Sequence, residues 1–286
     1  MPGTDLDPLL EAIETLPFLG ERTLIELRDF DINKCRDKSA ETLKTLEIPE
    51  YCTVAIILKQ GYEPDGRLSA VKTVRKLGQA LEFTPQAQSE LIRWISRRFE
   101  ALGKTIGRAE SEHLIFLSGG LMNRLIQDIE KLSAYADGSA ITRADMDAVV
   151  SRLPEAEVFE MSDKLAAGDY NGTIATLYEL LEMREHPIRL LSVIGQQFRN
   201  LYAARLALDY SRDTRWLMDV SAIRYDFIAR RLLGTARGFS SEQLADILDY
   251  CAESDYLMKS KSADDADILI DLLLRISLRR GSGKSR

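Results

Sequence analysis

The chain has 286 residues, 45% hydrophobic and 29% charged, a balance that argues against a disordered tail or a membrane-spanning bundle. That length fits two or three domains, and with only 8 prolines and 17 glycines among many helix formers, helix should dominate. A formal net charge of -7 and a sequence pI near 5.2 argue against an extended basic nucleic-acid surface and favour a protein partner.

Leu6, Leu9, Leu10, Ile13 and Leu16 recur at helical spacing behind Asp7 and Pro8, so a short amphipathic helix opens the pattern and Pro17 stops it. Thr23 to Leu27 reads as a strand. Cys52 to Leu58, CTVAIIL, is a β-branched and apolar run expected of a strand buried on both faces. Helices are predicted over Ser39 to Ile48 and Leu68 to Leu77, followed by a third short strand, Ala80 to Thr84. This alternation predicts a small parallel α/β layer over residues 1–84.

After Pro85 the periodicity is helical. Leu91, Ile95, Phe99 and Leu102 form one face, Leu114 and Leu117 belong to the next helix, and Gly119-Gly120 ends it. Leu121, Leu125, Ile129 and Leu132 make a third stripe. Thr142 with Asp145 opens a fourth helix as a near-capping box, which completes a small helical domain over 85–153. From Pro154 the pattern is all helix and turn: Val158 to Ala167, Tyr170 to Met183, Ile188 to Tyr210, a helix opened by Ser240 and Gln243, and Asp264 to Arg280. Residues 281–286 form a polar tail expected to be disordered.

Candidate chemistry is sparse. Gly103-Lys104-Thr105 and Gly283-Lys284-Ser285 copy the end of a phosphate loop but lack the earlier glycine and the strand-to-helix setting that wraps amides around phosphates. His113 and His186 have no ligand-spaced partners. Asp264, Asp265, Asp267 and Asp271 fit a helix's first turns better than a metal site. Cys35, Cys52 and Cys251 form no CxxC spacing, so a reducing cytoplasm is expected, with no secretory leader at Met1-Pro2-Gly3 and no membrane span. No catalytic constellation, metal or cofactor is expected. Arg67, Lys72, Arg75 and Lys76, and separately Arg93, Arg97, Arg98 and Lys104, are basic groups whose default reading is a solvated helix face; phosphate contact is the alternative.

IETLPFLGERTLIEL, Ile13 to Leu27, places Leu16, Pro17, Phe18 and Leu19 at a break between helix and strand. Two readings stand: Phe18 and Leu19 fold back to staple the helix end to the sheet, or they form an exposed anchor for a partner's apolar pocket.

LPFLGERTLIEL, GGLMNRLIQDIEKLSAYADGSAITRADMDAVV, VFEMSDKLAAGDYNGTIATLYELLE, HPIRLLSVIGQQFRNLY and DYLMKSKSADD, in this order, resemble the delta-subunit family of bacterial DNA polymerase III, clamp-loader components that engage the sliding clamp. The resemblance spans nearly the whole chain. It implies a mostly α fold with a small α/β part: a truncated AAA+-type parallel-sheet domain (1–84), a helical lid (85–153) and an all-helical collar (154–280). It implies that Leu16, Pro17 and Phe18, with Leu19 beside them, enter the clamp's hydrophobic pocket. The implied partners are the sliding clamp, other loader subunits through the carboxy-terminal domain, and primer-template DNA within a cytoplasmic, nucleoid-associated replisome. The polymerase (nucleotidyltransferase) activity belongs to the holoenzyme.

Two departures stand out. Family members begin with further strands that this sequence lacks, so a truncated first domain is expected. In the lid, where ATPases of the wider class place an arginine after a glycine, Asn123 holds the register and Arg124 follows, and no catalytic residue is carried over. The alternatives are an AAA+ ATPase fragment without its nucleotide-binding half, and a helical adaptor of other function.

Overall fold

The computed structural model describes residues 6–18, 20–35, 38–59, 61–260 and 264–281. The chain divides into two compact units, Met1–Thr84 and Pro85–Arg286. The architecture is mostly helical with a small parallel-strand part.

The first unit runs α1 (Asp7–Glu14), β1 (Thr23–Arg28), α2 (Lys38–Lys44), β2 (Cys52–Ile57) and α3 (Ser69–Leu77). Leu6 flanks α1 and Pro8 sits in its first turn, where a missing N–H costs nothing; Asp7 is inside the helix rather than its cap. Leu6, Leu9 and Ile13 are buried in a core with Phe30, Ile32, Leu43 and Val71.

β1 and β2 pair in parallel, with Ile25 opposite Val54 and Leu27 opposite Ile56. Those four residues pack on the core, while Leu24, Glu26, Arg28, Thr53 and Ile57 are exposed. The run in β2 is therefore covered on one side only, correcting the expectation of burial on both faces. Hydrophobicity alone does not reveal whether a second layer exists to cover a strand. The predicted third strand is also absent: residues 79–87 have no regular secondary structure, and Leu81 and Phe83 are 72% and 90% exposed. Their alternation matches a strand, but a strand without a paired neighbour has no ladder to hold it.

The second unit continues with α4 (Gln88–Ala101), β3 (Thr105–Ile106), α5 (Arg108–Ser118), α6 (Met122–Tyr135), β4 (Ala140–Ile141) and α7 (Arg143–Val149). It then runs through α8 (Pro154–Ala167), α9 (Tyr170–Glu182), α10 (Pro187–Asp209), α11 (Thr214–Val220), α12 (Asp226–Ala236), α13 (Ser241–Ser260) and α14 (Asp265–Gly281). The capping boxes expected at Thr142/Asp145 and Ser240/Gln243 are formed. The short parallel bridge between β3 and β4 had no periodic signal, being two residues long on each side.

One continuous apolar core extends from Leu91 in α4 to Ile276 in α14. Its axis is α10, whose Leu190, Ile194, Phe198, Leu201 and Ala204 are fully buried against α8, α12 and α13. Gly119 and Gly120 end α5 with φ of 67° and 70°, a conformation that favours glycine. A Cβ on Gly120 would also lie 2.2 Å from the Tyr225 hydroxyl.

A polar joint reinforces this core. Arg231 of α12 donates through Nε (2.9 Å) and Nη2 (2.7 Å) to Asp163 of α8, which also accepts from Thr235 Oγ1. The guanidinium lies 4.6 Å from the ring centre of Phe116 and 4.7 Å from that of Phe159. The two rings meet edge to face at 5.3 Å. Residues from α5, α8 and α12 thus share one cation. Arg231→Ala should lower the stability of this unit by about 2 kcal/mol, through the lost charged hydrogen bonds and ring contacts. A urea midpoint unchanged from the parent chain would refute the joint's role.

Candidate functional site

The α1 stripe is secured at its carboxy-terminal end by Ile13, which is buried and whose carbonyl accepts from the Tyr51 hydroxyl at 3.3 Å. Helix geometry ends at Glu14, and Thr15 is extended with φ -77° and ψ 121°. Proline disfavours helical geometry in the residue before it and supplies no amide for a helical hydrogen bond, so Pro17 enforces the stop.

The consequence is apolar surface in water. Leu16 is 72% exposed, Pro17 half-buried and Phe18 94% exposed. Phe18 is therefore not stapled back onto the first unit. Leu19, the fourth residue singled out from sequence, lies outside the described residues. Leu24, on the open face of β1, is a further exposed apolar residue; the two-residue alternation of that strand was its signal.

The basic residues of the first unit are not equivalent. Arg67 is paired with Asp65, Nη2 to Oδ2 at 2.8 Å and Nε to Oδ1 at 3.0 Å. Those bonds pull the Asp65 carboxyl down to about 2, with the Arg67 amide and the charge of Lys72 adding to the effect. Lys72, Arg75 and Lys76 lie on α3, exposed, and make no salt bridge among the described residues. The Arg67 charge is thus locally answered, whereas the α3 cations face solvent. Nearby, Tyr62 donates its hydroxyl to Asp31, and this bond, more than that from Lys34, lowers the Asp31 pKa.

The other sequence motifs have structural occupations. Lys104 Nζ donates to the carbonyls of Ala136 and Gly138 (2.8 Å for the latter), and the Thr105 amide donates to Ser139, so Gly103-Lys104-Thr105 fastens the β3–β4 bridge. Gly283-Lys284-Ser285 lies outside the described residues. Asp264 accepts from the amides of Ala266 (2.8 Å) and Asp267 (3.4 Å), at the start of α14. His113 stacks on Phe116, and burial, with Arg143 second, lowers its pKa. Arg124 Nη2 donates to the Ser151 carbonyl at 3.0 Å, and Asn123 is exposed. Among the described residues, no group of three or more histidine, cysteine or acidic side chains is placed to hold a metal, and no helix is long and apolar enough to cross a membrane.

Residues 155–276 match the family model for the DNA polymerase III delta subunit, C-terminal domain. The chain is 28% identical over 285 residues to DNA polymerase III subunit delta of Bacillus subtilis, covering 96% of this chain and 82% of that relative. It is 22% identical over 205 residues to a probable DNA polymerase III subunit delta of Aquifex aeolicus, covering 71% of this chain and 59% of that one. The solved structure of the Bacillus subtilis DNA clamp loader delta protein matches with a TM-score of 0.58 and 25% identity, over 95% of this chain and 83% of that one.

The Asp65–Arg67 pair makes a pH prediction. With its pKa depressed to about 2, Asp65 contributes to stability above the ordinary carboxylate range, and that contribution disappears as pH falls through about 2. In an NMR titration Asp65 should therefore remain ionised at pH 3, and Arg67→Gln should return it towards about 4. An Asp65 that titrates near 4 in the parent chain would contradict the pairing.

Proposed function

We propose that this chain, which belongs to the family of bacterial DNA polymerase III delta subunits, acts as the clamp-loader subunit that engages a sliding clamp through the apolar tip Leu16, Pro17 and Phe18, with Leu19 beside them. The observation that carries this reading is the 94% exposure of Phe18 immediately after a helix whose own stripe is buried. Leaving such a ring in water forgoes about 2 kcal/mol of burial, which a partner's apolar pocket recovers on docking.

The work of such a subunit is differential binding. A ligand shifts a conformational equilibrium only through its preference for one state, so the tip must hold the opened clamp interface more tightly than the closed one. No residue of this chain takes a chemical step; ATP acts through neighbouring subunits. Exposed Leu274 and Leu278, one turn apart on α14, and exposed Tyr256 on α13 support a role for residues 154–280 in holding the subunit among other loader proteins. Lys72, Arg75 and Lys76 of α3, with Arg67 more weakly because Asp65 already pairs it, are assigned to phosphates of primer-template DNA in the assembled complex.

Calorimetry against the sliding clamp of the same organism tests the tip. Leu16→Ala with Phe18→Ala should weaken binding by about 2 kcal/mol or more, roughly thirtyfold, with the circular dichroism spectrum unchanged. Equal affinity of parent and double variant would refute the anchor. Binding weakened instead by changes at Lys72 and Arg75 would move the contact to α3.

A further inference from the structure

A concavity of about 400 Å³ in the second unit is lined by Arg205, Arg237, Arg280, Asp209, Gln243 and the start of α13 at Ser240 and Ser241. We propose that it is an oxyanion site for a phosphate group, independent of the tip and of the clamp-binding reading.

The carrying observation is Arg280. The residue is only 8% exposed, and it lines the concavity while its buried Nε has no hydrogen-bond partner among the described residues. Its Nη2 donates to the Ala166 carbonyl at 3.0 Å, and its guanidinium lies 5.4 Å from the Phe239 ring centre, but no carboxylate pairs with it among the described residues. A buried guanidinium without a counter-charge is unfavourable, and an oxyanion bound in the concavity is a counter-charge.

The surroundings favour the same sign. Asp209 is the acidic residue of the lining, and it is already claimed by Arg205, which donates to it through Nε at 3.0 Å and through Nη2; this bond holds the Asp209 pKa below the ordinary range. Arg237 is exposed at the rim, with no ion pair among the described residues. α13 is a 20-residue helix, and its amino-terminal end carries partial positive charge. Its capping box takes up the amides of Ser240 and Gln243, at 3.0 and 3.1 Å, and Ser241 is left on the lining. The Gln243 Nε2 group donates to the carbonyls of Arg279 (3.2 Å) and Arg280 (3.5 Å), so these two acceptors near the end of α14 are answered by a protein donor. Three arginines and a helix amino terminus thus face one engaged carboxylate, in a chain whose net charge is -7.

A phosphate can arrive free or as part of a nucleic-acid strand. The test titrates the full chain with sodium pyrophosphate by calorimetry, and with a fluorescently labelled single-stranded oligonucleotide by anisotropy, both at low ionic strength. Saturable binding of either ligand that Arg237→Gln weakens about tenfold, and Arg280→Gln at least as much, is the expected result. Pyrophosphate binding alone identifies a free phosphate, whereas oligonucleotide binding sensitive to the same substitutions identifies a strand. Arg237 is exposed and makes no ion pair among the described residues, so its variant decides the matter even if Arg280→Gln fails to fold. The proposal is overturned if neither ligand binds, if Arg237→Gln changes nothing, or if the surface control Arg212→Gln weakens binding equally.

Discussion

A helix that must stop is the constraint on which this reading of the molecule depends. α1 is tied down by Leu6, Leu9 and Ile13, and the Tyr51 hydroxyl holds the carbonyl of Ile13. Two residues beyond Thr15 stands a proline that no helix interior accommodates. The chain turns outward while its residues are still apolar, and Leu16 and Phe18 enter solvent. Neither half of the arrangement suffices alone: without the buried stripe the tip would have no fixed base, and without Pro17 the helix could carry Leu16 back into register with Ile13.

The two units handle apolar surface differently. In the second, α10 lies at the centre of a core shared by nearly every surrounding helix, and the Arg231 joint links Phe116, Phe159 and Asp163 across three helices. In the first, the two-stranded sheet is covered on one side, and Leu24, Ile57, Leu81 and Phe83 remain in water with the tip. The proposed function gives that exposed surface a use, because a subunit that grips a partner through a few apolar side chains must keep them accessible until it docks.

Much of this was legible in residue order, and for identifiable reasons. Long helices announce themselves through stripes repeated over several turns, as in Leu125, Ile129 and Leu132, and through caps such as Thr142/Asp145. Pro17 and Pro154 marked changes of element because proline's constraint is local. What escaped depended on distant partners. Ala80 to Thr84 has the alternation of a strand but pairs with neither neighbour, and the β3–β4 bridge joins Thr105 to Ala140 through segments too short to carry a period. Whether Phe18 was a staple or a tip also depended on the surface opposite it, which its own neighbours in sequence do not specify. The arginines around the start of α13 were invisible for the same reason: Arg205, Arg237 and Arg280 meet only after the helices pack.

The most direct measurement replaces Phe18 by tryptophan and follows the emission that this position adds to Trp94 and Trp216. In the free chain the added signal should be red-shifted and readily quenched by acrylamide; with saturating sliding clamp it should shift to the blue and become protected. A signal already blue and shielded in the free chain, or one that the clamp leaves unchanged, would contradict an exposed tip that is buried on docking.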